Sequence, residues 1–215
     1  MTIKRPYLIG ITGGSGTGKT ALSHHLATCL TPQPALVIPL DAYYLQRTRL
    51  TTEMKGAVNY DVPEAFDVEL LMEHLRCLAR GRSIERPIYN FREHVRTGTT
   101  ERVKPGHFVI VEGLFTLYWT ALRTAIDLSI FIVADDATSF TRRLARDTRE
   151  RGRTVASVRT QWDTTVLPMY KRHIEPTQQF ANLVVNGTDT LEKSAGAILA
   201  HVPPSNDILP KSRRS

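Results

Sequence analysis

Cysteine is nearly absent from this chain of 215 residues: only Cys29 and Cys77 occur. That is too few for a disulfide framework, and the spacing is not that of metal ligands, so both read as inert thiols in a reducing, cytoplasmic compartment. Long apolar runs are missing too. The longest, Phe108 to Trp119, is interrupted by Glu112, and Tyr7 to Ile11 is too short for a signal-peptide core. Neither spans a bilayer, and no membrane partner is expected. Aromatic residues make up 7% of the chain, little for the basic and aromatic groove that holds nucleic-acid strands, so no nucleic-acid partner is expected either. Neither an Asn-Lys-x-Asp nor an Asp-x-x-Gly segment occurs, which weakens a nucleotide-switch reading. Repeats and interdomain linkers are lacking as well. One domain over 1–202 is expected, followed by a flexible tail over 203–215 that opens on Pro203-Pro-Ser-Asn-Asp.

Positive charge is what the chain has in excess. The formal charge is +7, and six arginines fall between Arg142 and Arg153. Focusing of that kind suits a small polyanionic ligand such as a nucleotide. Strand-like apolar runs at Ala35 to Leu40, His107 to Val111 and Leu128 to Val133 alternate with helical patterns at Lys19 to Leu30, Val68 to Arg80, Ala137 to Arg151, Val155 to His173 and Leu191 to Ala200. The alternation predicts an α/β fold, a parallel sheet with helices on both faces. Ile84 to Val103, with Pro87, Gly98 and several threonines, breaks the rhythm and predicts an inserted β-hairpin.

The most specific signal is Gly13-Gly14-Ser15-Gly16-Thr17-Gly18-Lys19-Thr20. It satisfies G-x-x-x-x-G-K-[ST] between a predicted strand and a predicted helix, the context that the P-loop motif requires. Glycines let main-chain N–H groups turn inward around a phosphate, Lys19 reaches the outer phosphates, and the Thr20 hydroxyl ligates Mg²⁺. Phe108-Val-Ile-Val111 ends on Glu112, placed like the acid of a Walker B strand and a second candidate for the metal shell. Asp41 ends the neighbouring apolar run, at the sheet edge where α/β folds bind ligands. It is the candidate base for a substrate hydroxyl and a further oxygen beside the metal; a loop or capping acid is the alternative for each carboxylate. Arg142, Arg146 and Arg149 fall on one helical side with Arg143 nearby, and Gly152 follows as a cap. This segment reads as a lid over 142–153 that closes on phosphates, against a merely solvated face.

In order, these segments resemble the uridine kinase (uridine-cytidine kinase) family of P-loop kinases, from the glycine loop to about Gly187. The resemblance rests on the P-loop together with Leu40-Asp-Ala-Tyr-Tyr44, Asn59-Tyr-Asp-Val-Pro-Glu-Ala-Phe-Asp67, Pro87-Ile-Tyr-Asn-Phe91 with His94 and Arg96, Val111-Glu-Gly113, Arg146-Asp147, Glu150-Arg-Gly-Arg153 and Ile174-Glu-Pro176. It implies transfer of the γ-phosphate of ATP or GTP, with Mg²⁺, to the 5′-hydroxyl of uridine or cytidine. It implies Asp41 as base, Thr20 and Glu112 at the metal, and Asp61 with Arg151 at the ribose hydroxyls. Tyr44 then lines the sugar site, Tyr89, Phe91 and His94 hold the pyrimidine, and Gln161 contacts substrate. Arg143, Arg146 and Arg153 lie near the triphosphate. A homo-oligomer is implied, with a tetramer as one form. Val62, Asn90, Leu167 and Phe180-Ala-Asn182 depart from the family pattern. None removes a phosphate, metal or base candidate, but Val62 and Asn90 adjoin expected sugar and base positions. A relative acting on a phosphosugar, pantothenate or another nucleoside is the alternative, with a P-loop ATPase behind it.

Overall fold

The computed structural model describes residues 5–46 and 59–203; the expected tail beyond Pro203 lies outside them. Five strands form the main sheet: β1 (Tyr7–Gly13), β2 (Ala35–Pro39), β5 (Phe108–Glu112), β6 (Leu128–Val133) and β7 (Leu183–Asn186). Every pairing is parallel, in the order β2-β5-β1-β6-β7, with β1 at the centre. Both faces are covered, which is why the strands read as nearly unbroken apolar runs. Leu8, Val109, Val111 and Phe131 pack into one core; Ile9, Ile11, Ile110, Ile130 and Ile132 point to the other. The first face is covered by α2 (Val68–Ala79), through Leu71, Leu75 and Leu78, and by Leu122 of α3 (Thr120–Ala125). The second is covered by α1 (Lys19–Cys29), through Leu22 and Leu26, and by Ile198 of α6 (Leu191–Leu199). Cys29 and Cys77 are free thiols, half-buried on α1 and α2.

The insertion is a two-stranded antiparallel hairpin, β3 (Ile84–Asn90) and β4 (Val95–Val103), with its register shifted between Pro87 and Tyr89. Proline has no N–H for the ladder, so an irregularity there is expected. Arg86 ties the hairpin to the sheet by donating to the Val37 carbonyl at 2.8 Å, and Arg96 reaches Asp67, the N-cap of α2, at 3.1 Å.

Helix α4 (Asp136–Glu150) opens where the Asp135 carboxylate accepts from Thr138 N at 2.7 Å. It stops at Gly152, whose φ of 67° is the left-handed conformation that glycine adopts without strain. The segment expected as one helix from Val155 to His173 is interrupted. After α5 (Val155–Gln161) come π turns at Trp162–Val166 and Tyr170–Ile174 around the short α turn Leu167–Met169. Pro168 sits in that α turn and removes a donor from the ladder, so the wider turns beside it have a local cause. No helix among the described residues is long and apolar enough to cross a membrane.

Candidate active site

The loop between β1 and α1 takes its shape from its glycines. Gly16 and Gly18 have φ of 84° and 99°, and a side chain on Gly16 would collide with the main-chain oxygen of Ser139 on α4. Gly18 is also the N-cap of α1, and no side chain caps that helix. Its first N–H groups and the positive end of its dipole therefore face the loop. Inside the loop, Thr17 Oγ1 and Lys19 Nζ both donate to the Gly14 carbonyl, at 2.9 and 2.7 Å. Lys19 is only 9% exposed, and burial pushes its ammonium down from 10.5 to about 8 against the opposing charges of Glu112 and Asp41. An anion arriving at the loop would relieve that penalty.

Beside the lysine stand two carboxylates. Glu112 is the last residue of β5, in register with Ile11 and Pro39, and accepts from Thr20 Oγ1 at 3.0 Å. Burial raises its pKa and the charge of Asp41 adds to the rise; Lys19, the Thr20 hydroxyl and Arg146 oppose it. Asp41 lies just past the end of β2, in the 3₁₀ turn Leu40–Tyr43 rather than at the strand end itself, and is half-buried at the same sheet edge. Among the described residues no group of three or more acids, histidines or cysteines could cage a metal alone. A hydroxyl and a carboxylate 3.0 Å apart beside a phosphate loop do match the few hard oxygen donors that Mg²⁺ takes from proteins when phosphates and water complete its shell.

These groups open into a cleft of about 210 Å³ whose other walls are the hairpin and the arginine segment. Ser15, Lys19, Thr20, Asp41 and Glu112 form its floor, and Tyr44, Asp61, Tyr89, Phe91, His94, Arg143, Arg146, Arg151, Arg153 and Gln161 line it too. Gly13, Gly14, Gly16, Thr17 and Gly18 shape the loop from behind. Tyr44, Tyr89 and Phe91 form a run of rings with centroids 5.1 and 5.2 Å apart. Tyr60, missed by sequence reasoning, stacks on His94 at 4.9 Å and 19° and lines the same cleft. The signal that could have found it is its place beside Asp61 in the Asn59–Asp67 segment that carries the family resemblance. Asp61 is 6% exposed; burial raises its carboxyl pKa while the Arg143 charge opposes the rise. Arg143 is nearly buried and donates to Ser15 Oγ and to Gln161 Oε1, each at 2.8 Å, and Arg153 bonds the same Gln161 oxygen. The Arg151 guanidinium lies 4.5 Å over the Phe91 ring, and Arg92 Nε donates to the Glu150 carbonyl at 3.2 Å, so hairpin and arginine segment touch.

Two expectations about the arginines need correcting. Arg142 and Arg149 do not share the cleft with Arg146. Arg142 donates to the Gly187 carbonyl at 2.8 Å across the phosphate loop, and the Arg149 side chain is 77% exposed beside Glu150. The chain turns after α4, and Arg151 and Arg153 take the places that helical spacing had given them. The departures Val62 and Asn90 have structural roles of their own. Asn90 Oδ1 accepts from Arg92 N and Glu93 N at 2.9 and 3.2 Å, closing the hairpin turn, while Val62 packs against the core; neither lines the cleft. A second cavity, about 380 Å³, lies on the far side of the loop between Thr17, Gly18, Arg142, Asn186, Gly187 and Asp189.

A parallel sheet with a phosphate loop at its edge, an acid on the adjacent strand and an arginine segment over the same cleft defines a P-loop kinase. The solved D-glycerate 3-kinase of Cryptococcus neoformans has this fold, with a TM-score of 0.61 at 18% identity, covering 86% of this chain and 88% of that one. Residues 8–193 match the model of the phosphoribulokinase / uridine kinase family, and the chain belongs to that family. It is 41% identical to the uridine kinase of Clostridium novyi (strain NT) over 181 residues, 84% of this chain and 87% of that protein. It is equally identical, over 186 residues, to the uridine kinase of Lactobacillus johnsonii, covering 86% of this chain and 88% of that one.

Proposed function

We propose that this protein is a pyrimidine nucleoside kinase, transferring the γ-phosphate of ATP or GTP to the 5′-hydroxyl of uridine or cytidine. One observation carries the reading: a single cleft joins Lys19, Thr20, Asp41 and Glu112 to the aromatic hairpin residues Tyr89 and Phe91 and to four arginines. Phosphate chemistry and an aromatic wall meet in that cleft. The 41% identity to proteins named uridine kinase supports the same acceptor.

In this reading the donor's phosphates lie on the α1 N-terminus, and its base occupies the second cavity beside Gly187. Lys19 leaves the Gly14 carbonyl for the outer phosphates. The pyrimidine stacks among Tyr60, Tyr89 and Phe91 with His94 at its edge, and Asp61 with Arg151 holds the ribose. That pose turns the 5′-hydroxyl toward Asp41, which accepts its proton as the oxygen attacks phosphorus in line with the leaving group. Arg143, Arg146 and Arg153 face the charge that spreads over the transferring group. Thr20 and Glu112, with Asp41 beside them, would hold Mg²⁺, which when bound supplies charge neutralisation on the phosphates. Free Cys29 and Cys77 suit a cytoplasmic enzyme; the homo-oligomer expected from the family resemblance belongs to the same proposal.

Mass spectrometry and ³¹P NMR of the product formed from uridine test the pose. A uridine 5′-monophosphate is expected. Phosphate on a 2′ or 3′ oxygen would overturn the placement of Asp61 and Asp41, and absence of a nucleotide product would overturn the acceptor.

A further inference from the structure

Asp147 has no solvent exposure, yet four arginines surround it. Arg146 holds Oδ1 through Nη2 at 2.8 Å and Nε at 2.9 Å. The other three stand further off: Arg143 Nε is 3.5 Å from Oδ2, Arg151 Nε 3.6 Å from Oδ1, and Arg153 Nη1 4.0 Å from Oδ2. Arg143 and Arg146 lie on α4, and Arg151 and Arg153 lie on the turn beyond it, so one carboxylate draws guanidinium groups from two segments to one wall of the cleft. The cluster is incompletely bonded inside: Asp147 Oδ2 and Arg143 Nε are both buried and have no hydrogen-bond partner.

Ending the helix does not require this side chain. The Asp147 carbonyl already accepts from Arg151 N and Arg153 N at 3.2 and 3.1 Å, and Gly152 supplies the left-handed turn. A buried acid facing four cations is a poor stabiliser compared with apolar packing of the same volume. Four guanidinium groups left alone would repel one another and swing toward water, at an entropic penalty to any ligand that had to gather them again. The carboxylate offsets the repulsion beforehand, and its loose contacts leave three arginines able to turn toward an anion.

We propose that Asp147 is a positioning residue for phosphoryl transfer, holding Arg143, Arg146 and Arg153 in the arrangement that grips a polyphosphate and Arg151 beside them at the ribose. This rests on the kinase reading above, and inorganic tripolyphosphate makes it separately testable. Titration calorimetry compares the full-length unsubstituted protein with Asp147→Asn. Coulomb attraction alone makes the variant bind tripolyphosphate more tightly, because a negative charge has been removed beside the ligand. Positioning makes it bind at least about tenfold more weakly, as misplacement of binding groups does. Unchanged or tighter binding overturns the proposal.

In turnover, kcat of Asp147→Asn is expected to fall about tenfold or more and the uridine KM to rise by less, since only Arg151 of the four faces the ribose; an unchanged kcat overturns it as well. If the Asn variant does not fold, Asp147→Glu keeps the charge and moves the carboxylate by one bond. Tripolyphosphate binding weakened about tenfold supports positioning, and binding equal to the unsubstituted protein overturns it. Loss of tripolyphosphate affinity in the variants, alongside an unsubstituted chain that never phosphorylates uridine, would sink the nucleoside acceptor and leave the role of Asp147 standing.

Discussion

Lys19 offers a quantitative test of how the phosphate loop works. In the free protein its ammonium is pushed down to about 8 by burial, from 10.5 in an unfolded chain. The unfolded chain therefore binds that proton more readily, and the lysine makes folding more favourable as pH rises through the window from about 8 to 10.5. Bound phosphates reverse the local balance, since opposite charge returns the ammonium to its ordinary range. At pH 8.5 roughly a quarter of the free protein carries the proton and nearly all of the complex does, so binding should take up about 0.75 proton. At pH 7 the uptake should be about 0.1. The corresponding loss of affinity between the two pH values is about fourfold, ~0.8 kcal/mol. Titration calorimetry with ATP and Mg²⁺, in two buffers of different ionisation enthalpy, reads the uptake directly. Lys19→Met should abolish the pH 8.5 uptake and also controls for the two thiols. Uptake below about 0.2 proton at pH 8.5, or an equal uptake in the methionine variant, would refute the reasoning.

Three substitutions divide the remaining roles. Asp41→Asn should lower kcat by about 10² to 10⁴, the range of a lost general base, while calorimetric nucleotide affinity changes little; near-normal turnover would remove Asp41 from the proton path. Phe91→Leu keeps the apolar packing and deletes the ring. Stacking is worth about 1–3 kcal/mol per base, so the uridine KM should rise about tenfold with the ATP KM unmoved, and equal rises in both would point to a folding role. Glu112→Gln should raise the Mg²⁺ concentration for half-maximal activity about tenfold or more; an unchanged Mg²⁺ curve would place the metal elsewhere.

What the chain discloses in advance is what local chemistry dictates. The glycine loop, the acid at the end of β5 and the hairpin from Ile84 to Val103 follow from spacing and turn residues, and the structure has each of them, while Asp41 sits in the 3₁₀ turn that follows β2 instead of at its end. The parallel sheet with helices on both faces follows from the alternation of strand and helix patterns. The short helix Thr120–Ala125 escapes notice because six residues at the end of an apolar run carry no period. The π turns around Pro168 also escape, since apolar spacing does not distinguish a widened helix from a regular one. Helical spacing misassigned the arginines for a different reason. It groups Arg142 with Arg146 and Arg149, but the partners across the fold decide which of them reach the cleft: Arg142 turns to the Gly187 carbonyl and Arg149 to Glu150 and solvent. The stacking of Tyr60 on His94 and the cavity beside Gly187 depend on the path of the chain.

The central claim is that the cleft accepts a pyrimidine nucleoside. It is tested most directly by ADP release with ATP and Mg²⁺ against uridine, cytidine, adenosine, thymidine, ribulose 5-phosphate and pantothenate, beside a control without acceptor. Release stimulated by uridine or cytidine, and by none of the others, is the expected result. Stimulation by ribulose 5-phosphate or pantothenate instead, or hydrolysis indifferent to any acceptor, would keep the phosphate loop and contradict the assignment of the hairpin wall.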